Sequence, residues 1–124
     1  MLHLNHANLQ VAAVPELRRF FETAFDFRVI HERGAGNFVL LRGMDGFILA
    51  LMHYPAAGPT PYPPQFHIGF QVESLDEVHR LHGRIREAGF HAPEPALLQQ
   101  GRKAYGFYSN APGGVMVEVS TSAV

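Results

Sequence analysis

An α+β fold made of two βαβββ repeats is predicted by three features of the chain. Residues 4–11 (LNHANLQV) and 66–72 (FHIGFQV) read as copies of one strand, each carrying a histidine. Each copy is followed by a helical pattern, and the two halves end in matching apolar stretches, 46–51 (GFILAL) and 114–119 (GVMVEV). Setting His6 on His67 at an offset of 61 also pairs Gln10 with Gln71, Val11 with Val72, Glu16 with Glu77 and Leu17 with Val78. Each half, at about 55–60 residues, is long enough for one supersecondary unit and too short for a core of its own, so the halves must pack together.

The first repeat, residues 1–53, opens with a strand over 2–11. Val14, Leu17, Phe20, Phe21, Ala24 and Phe25 then recur at helical spacing, with Pro15 and Glu16 suited to a first turn. Strands over 27–32, 38–42 and 47–52 follow, punctuated by Gly34, Gly36 and the turn 43–46 (GMDG). Residues 54–65 hold five of the nine prolines and form a stiff linker placed to line an entrance. In the second repeat, 66–120, Ser74 and Glu77 make a capping-box pattern ahead of Leu75, Val78, Leu81 and Ile85 on one face, and Gly89 is a stop signal. The whole chain, 1–124, is read as one domain.

Composition narrows the function. The chain is 47% hydrophobic and 17% charged with a formal net charge of -1, which gives no electrostatic footprint for nucleic acid or an anionic membrane. With no cysteine, disulfides, thiolate ligands and cysteine nucleophiles are excluded. The opening residues lack a basic stretch followed by an apolar one, and no run approaches the ~18 apolar residues of a membrane span, so the expected location is cytoplasmic.

Strand alternation points to chemistry. In the middle strand Phe66, Ile68, Phe70 and Val72 share one face and His67, Gly69 and Gln71 the other. In the last, Val115, Val117 and Val119 oppose Met116, Glu118 and Ser120; in the first, Leu9 and Val11 oppose His6, Asn8 and Gln10. Helices covering the apolar faces would leave His6, His67 and Glu118 lining a concave polar one. A carboxylate inside VMVEV is costly to bury unless paired or bound to a cation, and two repeat-related histidines complete a 2-His-1-carboxylate set with open coordination positions. The position equivalent to Glu118 in the first half is Ala50, so a symmetric four-ligand site is broken to three.

With its doubled strand-helix-three-strand unit and the His6, His67, Glu118 pattern, the chain resembles the vicinal oxygen chelate superfamily over nearly its whole length. That superfamily includes glyoxalase I, bleomycin- and fosfomycin-resistance proteins and extradiol ring-cleaving dioxygenases. The resemblance implies a cupped mixed sheet with helices outside, and a homodimer in which His6 of one subunit joins His67 and Glu118 of the other. Ala50 in place of a fourth ligand disfavours glyoxalase I, and an intact triad counts against a binding module without metal. Tyr108, ten positions before Glu118, stands where extradiol enzymes carry an active-site tyrosine, and His53, fourteen before His67, where some carry an acid-base histidine. Asn8 occupies a position that is usually threonine in the fosfomycin group, and Arg102 and Lys103 could hold a substrate carboxylate. The upstream histidine common in extradiol enzymes and the basic tail of the fosfomycin group are both missing.

The implied function is a metal-dependent enzyme for a small, oxygen-chelating substrate, using Fe(II) or Mn(II), with Zn(II) or Ni(II) as alternatives. An extradiol-type dioxygenase leads. A fosfomycin-type thiol transferase and a bleomycin-resistance-like sequestering protein, its cavity filled by Phe38, Met52 and Tyr62, are the rivals.

Overall fold

The computed structural model describes residues 1–58, 61–98 and 103–124. In chain order the elements are β1 (His6–Val11), α1 (Val14–Phe25), β2 (Arg28–Arg33), β3 (Phe38–Arg42), β4 (Ile48–His53), β5 (His67–Gln71), α2 (Leu75–Glu87), β6 (Ala96–Leu97), β7 (Tyr105–Ala111), a single 3-10 turn (Pro112–Gly114) and β8 (Val115–Thr121). They form two open four-stranded sheets, β1-β4-β3-β2 and β5-β8-β7-β6. In each, the first strand runs parallel to the last and the other neighbours are antiparallel. The register reproduces the sequence repeat: Asn8, Ala50 and Leu40 form a row across the first sheet where Gly69, Glu118 and Tyr108 form one across the second.

The expected strand over 2–11 begins only at His6. Its neighbour β4 starts at Ile48, the register partner of His6, and β1 is an edge strand, so residues before Asn5 have no ladder to join. Ile48 N–H still donates to the Asn5 carbonyl at 3.0 Å, after which Leu4, Leu2 and Met1 are exposed. Likewise β6 is only a two-residue strand against β7, shorter than its counterpart β2.

Both helices form where the patterning demands. Pro15 sits in the first turn of α1, and Val14, Leu17, Phe20, Phe21 and Ala24 make one buried face. The helix ends at Asp26, whose backbone is left-handed (φ 58°); its N–H and, at 3.2 Å, that of Phe27 both return to the Phe21 carbonyl. In α2 the Ser74 hydroxyl accepts from Glu77 N–H at 3.2 Å, but the Glu77 carboxylate turns outward to Arg80, so half of the expected capping box forms.

Packing joins the modules on their helix sides. Phe20 meets Phe90 edge-on at 5.1 Å, and Phe70 on β5 stacks on Phe25 at 4.5 Å with Phe21 and Phe27 around it. Arg84 of α2 donates to both Asp26 oxygens at 2.8 Å and to the Thr23 carbonyl at 2.7 Å, so the residue that stops α1 also ties it to α2. Burying Leu9, Val11, Val39, Leu41, Leu49 and Leu51 on the helix side leaves His6, Asn8, Gln10, Phe38 and Leu40 on the open side of the first sheet. The same alternation leaves His67, Gly69, Gln71 and Tyr108 open on the second. No helix among the described residues is long and apolar enough to cross a membrane.

The linker protects an edge. Tyr62 hydroxyl donates to the Gln10 carbonyl at 2.7 Å and accepts from the Gln10 N–H at 2.8 Å, which satisfies one residue of the free rim of β1. Its ring stacks on Phe66 at 4.6 Å, and burial raises its phenol above the ordinary 10.0. Tyr62→Phe should therefore cost about 1–2 kcal/mol in chemical denaturation and increase aggregation on refolding, since Gln10 loses both partners.

The Arg84 guanidinium holds the Asp26 carboxyl below its ordinary 3.8. A depressed folded value stabilises above the unfolded pKa and is lost as pH falls through the folded one. Asp26→Asn should thus lower stability at neutral pH by about 0.5–1 kcal/mol, an exposed-pair magnitude, and make unfolding less sensitive to acid below about pH 4. Denaturant titrations at pH 7 and pH 3 measure both effects.

Candidate metal centre

Glu118 sits mid-strand on β8, flanked by Gly69 on β5 and Tyr108 on β7, and its side chain is only 8% exposed. Because Gly69 has no side chain, the carboxylate stays open on that flank; a Cβ there would lie 3.7 Å from Glu118 Cβ and 3.9 Å from its carboxyl carbon. One oxygen, Oε2, accepts from the Ser120 hydroxyl at 2.6 Å. The other, Oε1, faces His67 Nε2 at 3.4 Å.

His67 opens β5, and its Nδ1 is 2.9 Å from the Gln65 carbonyl. A carbonyl can only accept, so Nδ1 donates to Gln65, and Nε2 is the ring nitrogen that faces Oε1. With a proton on Nε2 the contact is an ion pair, and without one the two atoms can share a metal ion. Their spacing suits a metal: two donors about 2.1 Å from a common ion, subtending roughly 90–110°, lie about 3.0–3.4 Å apart. Tyr108 closes one side, its ring perpendicular to that of His67 at 5.4 Å between centroids.

His6 is prepared in the same way on the other sheet. Its Nδ1 is 2.8 Å from Asn5 Oδ1, which leaves Nε2 exposed to solvent as a donor for a metal. Within one chain, however, the described residues gather no group of three His, Cys, Asp or Glu side chains able to hold a metal. His67 and Glu118 form a candidate pair, and His6 stands apart on its own module.

The remaining expected residues divide. Asn8 lies on the open face two positions after His6, with Ala50 as its register partner. Ala50 thus occupies the row position that Glu118 holds in the second sheet, as the repeat implied. His53 pairs in register with buried Val11, and alternation places it on the helix side of β4. Its Nδ1 is bound to the Ala12 carbonyl at 2.9 Å, so the chain does not bring it to the His67 and Glu118 pair. Lys103 is exposed in the coil before β7, and Arg102 lies outside the described residues. Phe38 and Met52 are register partners on the open face of the first sheet, while the Tyr62 hydroxyl is committed to Gln10.

Sequence reasoning missed Asn5, Gln65 and Ser120. Ser120 carried a signal, a hydroxyl two residues after the glutamate on the same strand face. Gln65 carried none, because it acts through its backbone. A cavity of about 330 Å³ between the modules also went unforeseen; Ala7, Phe47, Leu49, Ile68 and Phe70 line it, and it reaches His67.

These features define a paired-module protein with candidate ligands on the open face of each sheet. The chain belongs to the Glyoxalase/Bleomycin resistance protein/Dioxygenase superfamily, whose family model matches residues 3–119. A solved structure described as a possible glyoxalase from Bacillus cereus is 36% identical, with a TM-score of 0.78 over 96% of this chain and 98% of that one. A genomically encoded fosfomycin resistance protein from Listeria monocytogenes is 19% identical, with a TM-score of 0.74 over 100% and 96% of the two chains. A lactoylglutathione lyase from Agrobacterium tumefaciens is 18% identical, with a TM-score of 0.71 over 96% and 92%. The last two show a common fold. No curated protein matches the chain.

A buried carboxylate kept for binding should burden the metal-free fold. Glu118→Gln retains an oxygen to accept from Ser120 and removes the charge, so in chelator-treated protein it should raise stability by about 1 kcal/mol while abolishing metal binding. Thermal denaturation with and without Mn(II) measures the pair of effects.

Proposed function

We propose that the protein is a divalent-metal enzyme for a small substrate bearing two adjacent oxygens, working as a homodimer. In it, His6 of one subunit completes the site begun by His67 and Glu118 of the other. The observation that carries this reading is the approach of His67 Nε2 to the buried Glu118 Oε1 at 3.4 Å, each side chain fixed from behind by a partner of its own. Among the described residues the pair gathers no third ligand from its own chain, as a shared site requires.

The residues fit Fe(II) or Mn(II) best. Two imidazoles and a carboxylate with open positions are the donor set of non-haem iron oxygenases, and Zn(II) or Ni(II) are chemically compatible substitutes. When bound, the ion would polarise substrate oxygens and lower their pKa. The protein's own contribution is orientation. Tyr108, beside both ligands, is the proposed hydrogen-bond partner of a bound oxygen, in preference to His53, whose ring is held on the helix side. Asn8 and Lys103 are the proposed polar contacts to substrate, with Arg102 as a further candidate. Phe38, Leu40 and Met52 on the first module's open face, half-buried, would exclude water from the hydrocarbon part.

Extradiol-type ring cleavage is the reaction we assign. Its signature is oxygen uptake with catechols by protein loaded anaerobically with Fe(II) or Mn(II). Metal-dependent turnover without oxygen consumption would instead assign a Lewis-acid thiol transferase. Equal binding of an apolar ligand after chelation and in His67→Ala would assign a sequestering protein.

Sharing of the site has its own test. His6→Ala and His67→Ala should each lose metal binding. When the two are unfolded together and refolded as a mixture, statistical pairing should restore about a quarter of the wild-type metal content, because each mixed dimer holds one intact site. Metal analysis showing no recovery, with mixed dimers confirmed by mass, would rule out a shared centre.

A further inference from the structure

Ser120 is 3% exposed and spends its hydroxyl on a single partner, Glu118 Oε2, at 2.6 Å. Its backbone is fixed on both sides. Val72 N–H donates to the Ser120 carbonyl at 2.8 Å, and Gly106 is its register partner on β7. The strands approach so closely there that a Cβ on Gly106 would come within 2.7 Å of the Ser120 Cα. The hydroxyl is therefore presented from a rigid strand towards one oxygen of the carboxylate.

The repeat supplies independent support. Gln10 pairs with Met52 in the first sheet where Gln71 pairs with Ser120 in the second, so Met52 is the counterpart of Ser120 as Ala50 is of Glu118. The hydroxyl and the carboxylate occur together in one module and are replaced together by apolar residues in the other. A serine serving only the strand would have no reason to follow the glutamate.

We propose that Ser120 is a positioning residue that occupies Oε2 and so makes Glu118 a ligand through Oε1 alone. The proposal rests on the reading of Glu118 as a metal ligand. A free carboxylate can bind a cation through one oxygen or both. With two imidazoles and one oxygen, an octahedral ion keeps three positions open, enough for two substrate oxygens and one further ligand; a second carboxylate oxygen would take one of them. Ser120 thereby governs how many positions the substrate finds.

The test uses the full-length chain, freed of metal by chelation, as wild type, Ser120→Ala and Ser120→Thr. Co(II) absorption in the visible reports coordination, and Mn(II) calorimetry reports affinity. Ser120→Ala should weaken Mn(II) about tenfold and change the Co(II) band intensities, as loss of a ligand's hydrogen-bond partner commonly does, while Ser120→Thr, which keeps the hydroxyl, stays near wild type. Wild-type affinity and spectrum in folded Ser120→Ala would overturn the positioning role and leave the metal site standing. Equal changes in both variants would overturn it by assigning the effect to packing. Failure of folded wild type to bind either ion would overturn the metal reading itself.

Discussion

A carboxylate in the middle of a buried strand has to have its charge answered, and the second module is arranged around the answer given to Glu118. One oxygen takes a hydroxyl from its own strand, and the other faces a histidine nitrogen at 3.4 Å. Keeping a charge at so buried a position is costly without a cationic partner, and under the metal proposal the pair with His67 is where that partner would be bound. Gly69 keeps one flank free, and Tyr108 forms the other.

The aromatic seam makes that arrangement usable. Because Phe20, Phe25, Phe70 and Phe90 join the modules through their helix sides, the open faces of both sheets are turned away from the packing that stabilises the chain. His6 and the pair of His67 and Glu118 are then displayed on separate modules rather than consumed in an internal contact. The Arg84 clamp on Asp26 and the Tyr62 cover on the rim of β1 hold the two halves without occupying either face. Stability comes from one side of each sheet and chemistry from the other.

What the sequence made legible follows from periodicity. The offset between His6 and His67, the helical spacing after Val14 and Leu75, and the alternation around Glu118 each survive in the structure, because repeats and faces are properties of side-chain order. What it hid depends on backbone groups and register. His53 looked like a site residue by its distance from His67, yet strand parity, visible only once Val11 is known as its partner, turns it towards the helix. The Gln65 carbonyl that holds Nδ1 of His67 has no side-chain signal, and the late start of β1 was decided by where β4 begins.

The two modules differ most at the centre of their last strands. Glu118 and Ser120 stand where the first module has Ala50 and Met52, while the histidines on the first strands are kept in both. Had the first module retained a carboxylate, a shared centre would carry four protein ligands, and two open positions would remain on an octahedral ion. Replacing that ligand with Ala50 opens a third, and Met52 and Phe38, now without a charge beside them, supply an apolar wall on the same face. One asymmetry therefore does two things in the proposed dimer. It frees coordination positions for a substrate that brings its own oxygens, and it lines the approach with surface suited to the hydrocarbon that carries them.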